Sequence, residues 1–174
     1  MQRILVTGIA GAGKTMLSLR LGKILNLPVI HLDRHFWQPG WKKMDYEKWC
    51  DKLRGLADGE KWIMDGNYDS SLEIRLPRCD TIIYLDFSRW LCLCRAVLRI
   101  FKNYGKIRPD MAPGCPERID FTFFNFIWNF NRSERLRIWA LIEKHRSDKE
   151  ILFFTSRRQI ETFLTGLEFK SNQV

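Results

Sequence analysis

Short apolar runs alternate along the chain with segments in which apolar residues recur at helical spacing. Five runs are apolar almost throughout, as strands buried on both faces of a sheet usually are, and they span residues 3–8, 29–33, 62–65, 81–87 and 150–155. Apolar residues recur every three or four positions at residues 14–26, 45–56, 88–101, 121–146 and 156–164, which predicts five helices. This alternation predicts an α/β domain whose parallel sheet is covered by helices on both faces.

Prolines separate the third predicted helix from the fourth. Residues 103–120, called the insert below, contain Pro109, Pro113 and Pro116 together with two glycines, so we predict a loop or lid there. The sequence contains no internal repeat and no low-complexity linker. We therefore predict a single domain over residues 1–174 that carries a lid at about 103–120.

Composition excludes several classes of protein. With 174 residues, of which 45% are hydrophobic and 13% aromatic, the chain can build a full core and is not a disordered protein. No apolar run reaches the ~20 residues that cross a bilayer, and Lys14 interrupts the apolar N-terminus, so we expect neither a membrane segment nor a signal peptide. The five cysteines include no CxxC pair, which indicates reduced thiols in a cytoplasmic protein, with a zinc or redox site as the weaker alternative.

Positive charge is concentrated in the second half of the chain. The net charge is +9, of which residues 1–88 carry +2 and residues 89–174 carry +7. Such a surplus predicts a surface that handles anions, formed either by a solvated basic face or by a site built from several arginines. The candidate cations are Arg95, Arg99, Lys106, Arg108, Arg118, Arg132, Arg135 and Arg137.

Residues 8–15, GIAGAGKT, match the pattern G-x-x-x-x-G-K-[ST] at every fixed position. The glycines let the backbone wrap around a phosphate with its N–H groups pointing inward, and the positive end of the following helix faces the same anion. Lys14 adds a charge near the β- and γ-phosphates, and the Thr15 hydroxyl can bind Mg²⁺. We therefore predict a phosphate loop that binds a nucleotide through Gly8, Ala10, Gly11, Ala12, Gly13, Lys14, Thr15 and Met16.

A phosphate loop alone does not distinguish kinases from GTPases and motor ATPases. The Asn-Lys-x-Asp motif by which guanine-specific proteins recognise the base is absent from the sequence, and a motor ATPase would need a longer chain. A short chain with a lid bounded by prolines and glycines favours a small-molecule kinase. Convergent cations would neutralise the transferring phosphoryl group there while water is excluded.

Four segments carry a resemblance to a known family: VTGIAGAGKT, VIHLDRHFWQPGW, WIMDGNYDSSLEIRLPRCDTIIYLDFSRWLCLCRAVLR and RPDMAPGCPERID. They cover most of the chain and are similar to the adenylate-kinase-like group of P-loop kinases, in the branch labelled DNA topology modulation proteins. The resemblance implies a P-loop NTPase three-layer sandwich with a five-stranded parallel sheet in the order 2-3-1-4-5. It also implies an inserted helical lid, a site for ATP and a requirement for Mg²⁺.

The same resemblance assigns roles to individual residues. Arg95 and Arg99 fall where adenylate kinases place two arginines at the start of the lid. Asp65 resembles the strand-end acid that holds Mg²⁺ through water, and Asp33 resembles the acid that addresses the acceptor in shikimate and gluconate kinases. The alternatives are a solvated basic stripe for the arginines and a cap or turn for each aspartate. The catalytic candidates are therefore Lys14, Arg95, Arg99 and Asp33, and the metal candidates are Thr15 and Asp65.

The acceptor side departs from the nucleoside monophosphate kinases. Those enzymes place a Gly-Phe-Pro-Arg run after the third strand, whereas this chain has GNYD at residues 66–69, and Arg75 is the residue that could replace the missing arginine. A neutral, hydroxylated acceptor would instead use Asn67, Tyr68 and Asp33, while Trp41 would form either a wall of that site or a small satellite core. The candidate substrate-binding residues are Asp33, Trp41, Asn67, Tyr68, Arg75, Arg108 and Arg118.

Three further features border the predicted site. Residues 155–159 follow the fifth strand where related kinases pass the adenine, so Arg157 either binds ATP or belongs to a capped, solvated helix start. Cys115 alone cannot form the four-ligand zinc site of some adenylate-kinase lids, so we predict an insert without metal. Phe121, Phe124 and Trp128 form a helix face that packs on a second subunit, covers the acceptor pocket or joins the core.

The sequence therefore favours an ATP- and Mg²⁺-dependent phosphotransferase with a small-molecule or nucleotide acceptor. The alternative is a nucleotide-dependent DNA-binding protein, suggested by the charge of +7 on residues 89–174 and by the label of the family branch. No helix-turn-helix, zinc-finger or basic-zipper pattern supports that alternative. We expect a nucleoside triphosphate and a small acceptor as partners, with DNA less favoured and no membrane. The sequence indicates neither the acceptor nor the oligomeric state.

Overall fold

A five-stranded parallel sheet forms the centre of the molecule. A computed structural model describes residues 1–171, and residues 172–174 of the predicted domain lie outside this range. The strands are β1 (Arg3–Gly8), β2 (Val29–His31), β3 (Trp37–Gln38), β4 (Lys42–Lys43), β5 (Trp62–Asp65), β6 (Thr81–Leu85) and β7 (Glu150–Phe154). The main sheet has the order β2-β5-β1-β6-β7, while β3 and β4 pair in a separate antiparallel hairpin. Counted along the main sheet, this is the predicted order 2-3-1-4-5.

Helices cover both faces of this sheet. They are α1 (Lys14–Leu25), α2 (Leu32–Phe36), α3 (Tyr46–Ala57), α4 (Leu72–Arg75), α5 (Arg89–Asn103), α6 (Phe121–Asn129), α7 (Glu134–Lys144) and α8 (Arg157–Ser171). Every residue of β5 and of β6 is buried, as expected for strands packed on both faces. The helix α1 packs on β5 and on α8, α3 packs on α4, and α5 packs on α6. The predicted three-layer α/β fold is confirmed.

The register of the strands brings their carboxyl ends together at one edge of the sheet. His31 of β2 and Val6 of β1 both pair with Asp65 of β5. Gly8 at the end of β1 pairs with Leu85 at the end of β6. Open parallel sheets bind their ligands at this edge. The phosphate loop and the segments that carry the predicted acids Asp33 and Asp65 therefore lie at the same edge of the sheet.

The helix predicted over residues 121–146 is divided into α6 and α7. Two N–H groups of the intervening turn bond to the carbonyl of Asn129. The turn changes the direction of the chain, so that α6 packs on α5 whereas α7 packs on α4. Ile127 of α6 and Phe130, which follows the helix, are buried in the core, whereas Phe121 is 80% exposed. One straight helix could not make both sets of contacts, and apolar periodicity alone does not reveal the break.

The insert differs from the helical lid that the resemblance implies. After Asn103, where α5 ends, it contains no helix and only one isolated bridge, between Tyr104 and Glu117. Pro109, Pro113 and Pro116 each lack an N–H donor and fix φ, which prevents a continuous helix. The insert therefore keeps an irregular backbone, which side-chain contacts and isolated backbone hydrogen bonds hold in place.

Asp80 fastens the N-terminal segment to the start of β6. Its Oδ2 accepts hydrogen bonds from the N–H groups of Gln2 and Arg3 at 2.7 and 2.8 Å, and its Oδ1 accepts one from the Thr81 hydroxyl. Burial acts to raise the pKa of Asp80, but these hydrogen bonds outweigh it and hold the pKa below its ordinary value. Such a carboxyl stabilises the fold above its unfolded pKa of about 3.9. That stabilisation is lost as the pH falls through the folded pKa.

We expect Asp80→Asn to lower the free energy of unfolding by about 1–2 kcal/mol at pH 7, because the hydrogen bonds lose their charged acceptor. The difference from wild type should shrink at pH 3, where the wild-type carboxyl is largely protonated in the unfolded chain. Urea unfolding at both pH values measures the effect. Asp51→Asn is the control, since Asp51 is exposed in a surface pair with Arg54 and should contribute little at either pH. A difference that persisted unchanged at pH 3 would contradict the prediction.

Candidate active site

The backbone of the phosphate loop adopts conformations that its glycines were predicted to allow. Gly8, Gly11 and Gly13 have φ values of 124°, 85° and 101°, which side chains rarely adopt. A Cβ on Gly8 would lie 2.2 Å from the Leu85 carbonyl oxygen, and one on Gly11 would lie 2.4 Å from the Cys92 carbonyl oxygen. The loop is therefore packed tightly against β6 and α5. In this structure no side chain caps the first turn of α1, so its N–H groups are available to an anion.

Lys14 lies across the phosphate loop. Its Nζ donates hydrogen bonds to the carbonyls of Gly8 and Ile9 at 2.7 and 3.1 Å. Burial lowers the pKa of Lys14, and the negative charges of Asp65 and Asp33 oppose this effect only in part. A buried ammonium with two carbonyl partners gains strongly from a phosphate oxygen, because attraction between charges is greater where water is excluded.

His31 joins Asp65 at the carboxyl edge of the sheet. Its Nδ1 lies 3.1 and 3.0 Å from the two carboxylate oxygens of Asp65, whose residue is 6% exposed. Burial alone would lower the pKa of His31, but the hydrogen bond and charge of Asp65 outweigh it and raise the pKa above its ordinary value. The prediction that Asp65 holds magnesium did not include this histidine partner. The signal was present in the segment VIHLD, where a histidine ends the strand that precedes Asp33.

Asp33 lies in the first turn of α2 and not at the end of β2, because the strand stops at His31. The Tyr68 hydroxyl donates a hydrogen bond of 2.6 Å to its Oδ1. Burial raises the pKa of Asp33 and the charge of Asp65 adds to the increase, although the bond from Tyr68 and the charge of Lys14 act in the opposite direction. The ring of Tyr68 packs among other aromatic rings, and its centroid lies 4.6 Å from that of Phe36. The structure thus brings together Asp33 and Tyr68, two of the candidate substrate-binding residues.

Asn67 and Arg75 have structural partners that differ from their predicted contacts with substrate. The Oδ1 of Asn67 accepts hydrogen bonds from the Thr7 hydroxyl and the Gly8 N–H at 3.2 and 3.1 Å, which tie residues 66–68 to the phosphate loop. Arg75 is 0% exposed and donates hydrogen bonds to the carbonyls of Gly66, Asn67 and Tyr68. Burial lowers its pKa to about 10. The Arg75 guanidinium is enclosed beneath the loop that it supports, which favours a structural role over the predicted contact with substrate.

We expect Arg75→Ala to lower the free energy of unfolding by about 3 kcal/mol, since three buried carbonyls would lose a charged donor. Urea unfolding measures the change. Arg78→Ala is the matched control three residues away, because Arg78 is partly exposed and bonds to Asp58 on the surface. Arg78→Ala should lower the free energy of unfolding by about 1 kcal/mol or less. Equal losses in the two variants would show that the buried contacts of Arg75 do not stabilise the fold.

A chain of ion pairs joins the insert to the phosphate loop. Glu117, which is 4% exposed, accepts hydrogen bonds from the Nε atoms of Arg99 and Arg108 at 2.8 and 3.0 Å. Arg108 Nη1 donates to Asp110 Oδ2 at 2.9 Å, and the Thr15 hydroxyl donates to the same oxygen at 3.3 Å. Two of the predicted arginines therefore converge beside the phosphate loop. Asp110 and Glu117 were not predicted, because the contact of Asp110 with Thr15 joins residues 95 positions apart and Glu117 meets its arginines only once the insert is folded.

The other predicted cations and Met16 lie at the margin of this arrangement. The Arg95 guanidinium lies over the ring of Phe87, 5.4 Å from its centroid. The Arg157 side chain is 80% exposed and lies 3.6 Å from Glu161 on the surface of α8, which fits the solvated helix start. Met16 is 66% exposed in the first turn of α1. In the described structure none of the three makes a polar contact with the phosphate loop.

Trp41 fastens the insert to the β3–β4 hairpin. Its Nε1 donates a 2.9 Å hydrogen bond to the Pro116 carbonyl, and its ring packs on Trp37 with centroids 5.5 Å apart. Both rings pack against the buried residues of the insert, Met111, Ala112 and Cys115. The Arg118 guanidinium lies over the Trp41 ring and pairs with Asp120. The structure therefore favours the satellite core over the acceptor wall for Trp41, and it gives Arg118 no contact with the phosphate loop.

The residues present fit a magnesium nucleotide. Mg²⁺ prefers oxygen ligands and usually takes one or two carboxylates together with phosphate oxygens and water. The Thr15 hydroxyl and the carboxylates of Asp65 and Asp110 supply oxygen atoms at the edge where the phosphate loop opens. Among residues 1–171 no group of three acidic, histidine or cysteine side chains could hold a metal alone. A magnesium ion would therefore need oxygen atoms from a nucleotide as well.

The strand order, the helical layers and the phosphate loop define the fold of the P-loop kinases. Three solved structures share it. A shikimate kinase from Bacteroides thetaiotaomicron is 19% identical, with a TM-score of 0.53 and 97% of each chain covered. A gluconokinase from Sinorhizobium meliloti 1021 is 16% identical, with a TM-score of 0.52 over 99% of this chain and 94% of its own. A sugar kinase from Janibacter sp. HTCC2649 is 13% identical, with a TM-score of 0.51 over 98% and 92%.

Comparison of the sequence itself identifies no relative. No protein-family model matches the chain, and no curated protein matches it. At identities of 13–19% the three structures establish the fold and nothing finer. Within residues 1–171 no helix is long and apolar enough to cross a membrane.

Proposed function

We propose that this protein transfers the γ-phosphoryl group of ATP to a hydroxyl group of a small molecule in the presence of Mg²⁺. The observation that carries the proposal is the convergence of Lys14, Arg99 and Arg108 with the acid Asp33 at one edge of the sheet. Cations beside a phosphate loop and an acid near the same edge are parts that phosphoryl transfer uses. The three similar structures are kinases by name, which supports the same class of reaction.

Each residue has a role in the proposed reaction. The N–H groups of the phosphate loop and Lys14 hold the β- and γ-phosphates, and Arg99 and Arg108 stabilise the charge on the transferring group. Thr15 and Asp65 would hold Mg²⁺, which when bound neutralises the phosphate oxygens. Asp33 accepts a hydrogen bond from the acceptor hydroxyl and takes its proton as the oxygen attacks the γ-phosphorus. ADP leaves with the electrons of the broken P–O bond.

The acceptor that we propose is neutral or carries hydroxyl groups in place of a phosphate. A monophosphate acceptor needs a cation on the acceptor side, and Arg75, which could have supplied it, is enclosed and bonded to three carbonyls. Asp33 and Tyr68 instead present a carboxylate and a phenol that suit hydroxyl groups. The names of the similar structures, which include gluconokinase and sugar kinase, are consistent with this class of acceptor.

A DNA-binding function, which is suggested by the label of the family branch that the sequence resembles, has less support. Much of the positive charge in residues 89–174 is neutralised by acids of the same chain. Nine of the sixteen lysines and arginines of this half form ion pairs within residues 1–171, namely Arg99, Arg108, Arg118, Arg135, Arg137, Lys144, Arg146, Lys149 and Arg157. Phosphate contacts in DNA complexes need cations that are free to replace counterions.

Release of ADP from ATP tests the proposal. The purified protein with ATP and Mg²⁺ is offered a panel of sugars, hydroxy acids, nucleosides, nucleoside monophosphates and duplex DNA. We expect one hydroxylated compound without a phosphate to raise ADP release, with the phosphorylated product formed in equal amount. A rise with a monophosphate alone would overturn the proposed acceptor class, and a rise with DNA alone would favour the second function.

A further inference from the structure

A carboxylate of the insert lies beside the hydroxyl group that a phosphate loop offers to magnesium. Asp110 Oδ2 is 3.3 Å from Thr15 Oγ1 and 2.9 Å from Arg108 Nη1. The side chain of Asp110 is 13% exposed. Its Oδ1 has no hydrogen-bond partner among residues 1–171, so one oxygen of a nearly enclosed carboxylate is free at the mouth of the phosphate loop.

The insert that carries Asp110 is docked at several points. Gly40 N–H bonds to the Gly114 carbonyl at 2.8 Å, Trp41 Nε1 bonds to the Pro116 carbonyl, and the Cys115 thiol bonds to the Gln38 carbonyl. A Cβ on Gly114 would lie 2.8 Å from the Pro39 side chain, which shows how closely the insert and the hairpin approach. Buried apolar side chains fill the contact between them.

These contacts fix the insert to the β3–β4 hairpin, and the pair of Arg99 with Glu117 ties the insert to α5. In this arrangement Asp110 lies beside Thr15. The triphosphate of ATP would then meet a fixed negative charge close to its own oxygens. Repulsion between like charges at this distance is large where water is excluded. A cation placed between the two would convert the repulsion into attraction.

We propose that Asp110 completes the coordination sphere of the Mg²⁺ ion held by Thr15, so that the insert binds the metal as well as covering the site. The inference rests on the proposed function, since the nucleotide supplies the remaining ligands. Adjacent ligands of an octahedral Mg²⁺ at about 2.1 Å are separated by about 3 Å, and the Thr15 hydroxyl and the Asp110 carboxylate already lie at nearly this separation. Arg108 and Glu117 hold the carboxylate in place.

Binding of Mn²⁺ to the complex with a non-hydrolysable ATP analogue tests the proposal without turnover. Free Mn²⁺ is measured by electron paramagnetic resonance during titration of wild type and of Asp110→Asn. We expect the variant to bind Mn²⁺ about 10- to 100-fold more weakly, as when a group that supports a metal is removed. Its affinity for the analogue in EDTA should be equal to that of wild type or higher, because a negative charge has been removed. Asp110→Glu, which restores the carboxylate, should recover part of the Mn²⁺ affinity.

Three results have distinct meanings. Unchanged Mn²⁺ affinity in a folded Asp110→Asn protein would overturn the metal role while leaving the proposed kinase function intact. Tighter binding of the analogue by the same factor with and without Mn²⁺ would show that Asp110 merely obstructs the site, which also overturns the proposal. A wild-type protein that bound no analogue at all would overturn the proposed function itself. Asp51→Asn, an exposed carboxylate of α3, is the control and should bind Mn²⁺ as wild type does.

Discussion

Replacement of Lys14 with alanine is expected to lower kcat for phosphoryl transfer by about 10²- to 10³-fold. The ammonium is buried beside the phosphate loop, and its hydrogen bonds to the carbonyls of Gly8 and Ile9 place it at the site where the charge of the transferring group develops. An interaction made with the transition state inside a water-excluded site contributes more than a surface ion pair does. Release of ADP in the presence of the best acceptor measures the loss.

The same variant should be at least as stable as wild type. Burial lowers the pKa of Lys14, so the folded protein binds this proton less tightly than the unfolded chain does. At pH 7 the charged lysine therefore opposes folding, and the opposition fades only as the pH rises through the lowered pKa toward the unfolded value. Removal of the ammonium removes this cost. Urea unfolding at pH 7 should give a free energy of unfolding that is equal to or greater than that of wild type.

Lys23→Ala is the matched control, because Lys23 is an exposed lysine in the last turn of the same helix. It should keep wild-type activity. Full activity in Lys14→Ala would contradict the catalytic role of the phosphate loop. Loss of activity together with a large loss of stability would instead show that Lys14 is required for the fold.

Features that depend on neighbours in sequence could be predicted from the sequence. The five strands of the main sheet and the phosphate loop follow from apolar runs, helix spacing and fixed glycine positions, whereas the order of the sheet was implied by the resemblance to a known family. Gly8 and Gly11 illustrate the reason, since the loop gives each a positive φ that side chains rarely adopt. Local rules of this kind do not depend on what the rest of the chain does.

Features that depend on distant partners could not be predicted. Arg75 has the positive charge expected of a residue that binds an anionic substrate. Only the packing of α4 beneath residues 66–68 shows that its side chain is enclosed. Asp110 lies 95 positions from Thr15, and no periodicity relates the two. Trp41 was expected either at the acceptor site or in a satellite core, and the contact with Pro116 decides for the core. Charged and aromatic residues of loops keep several possible partners until the fold is known.

Asp33→Asn is expected to lower kcat by about 10²- to 10⁴-fold, the loss typical of a removed general base. Asparagine has nearly the shape of aspartate, and its Oδ1 can still accept the hydrogen bond from the Tyr68 hydroxyl that Asp33 accepts at 2.6 Å. The variant therefore keeps the geometry and loses the ability to take a proton. KM for the acceptor should change much less than kcat. Steady-state kinetics with the best acceptor separates the two effects.

Tyr68→Phe distinguishes proton transfer from positioning. The phenyl ring can keep its contact with Phe36, but Asp33 loses its hydrogen bond and should keep its capacity as a base. We expect a smaller loss of kcat than in Asp33→Asn.

Because burial raises the pKa of Asp33, the folded state disfavours its ionised form, and Asp33→Asn should be no less stable than wild type at pH 7. An Asp33→Asn protein that lost stability and kept kcat would show that Asp33 is a structural residue of α2. Lost activity with retained stability would show that the fold carries an unfavourable buried carboxylate because the reaction uses it.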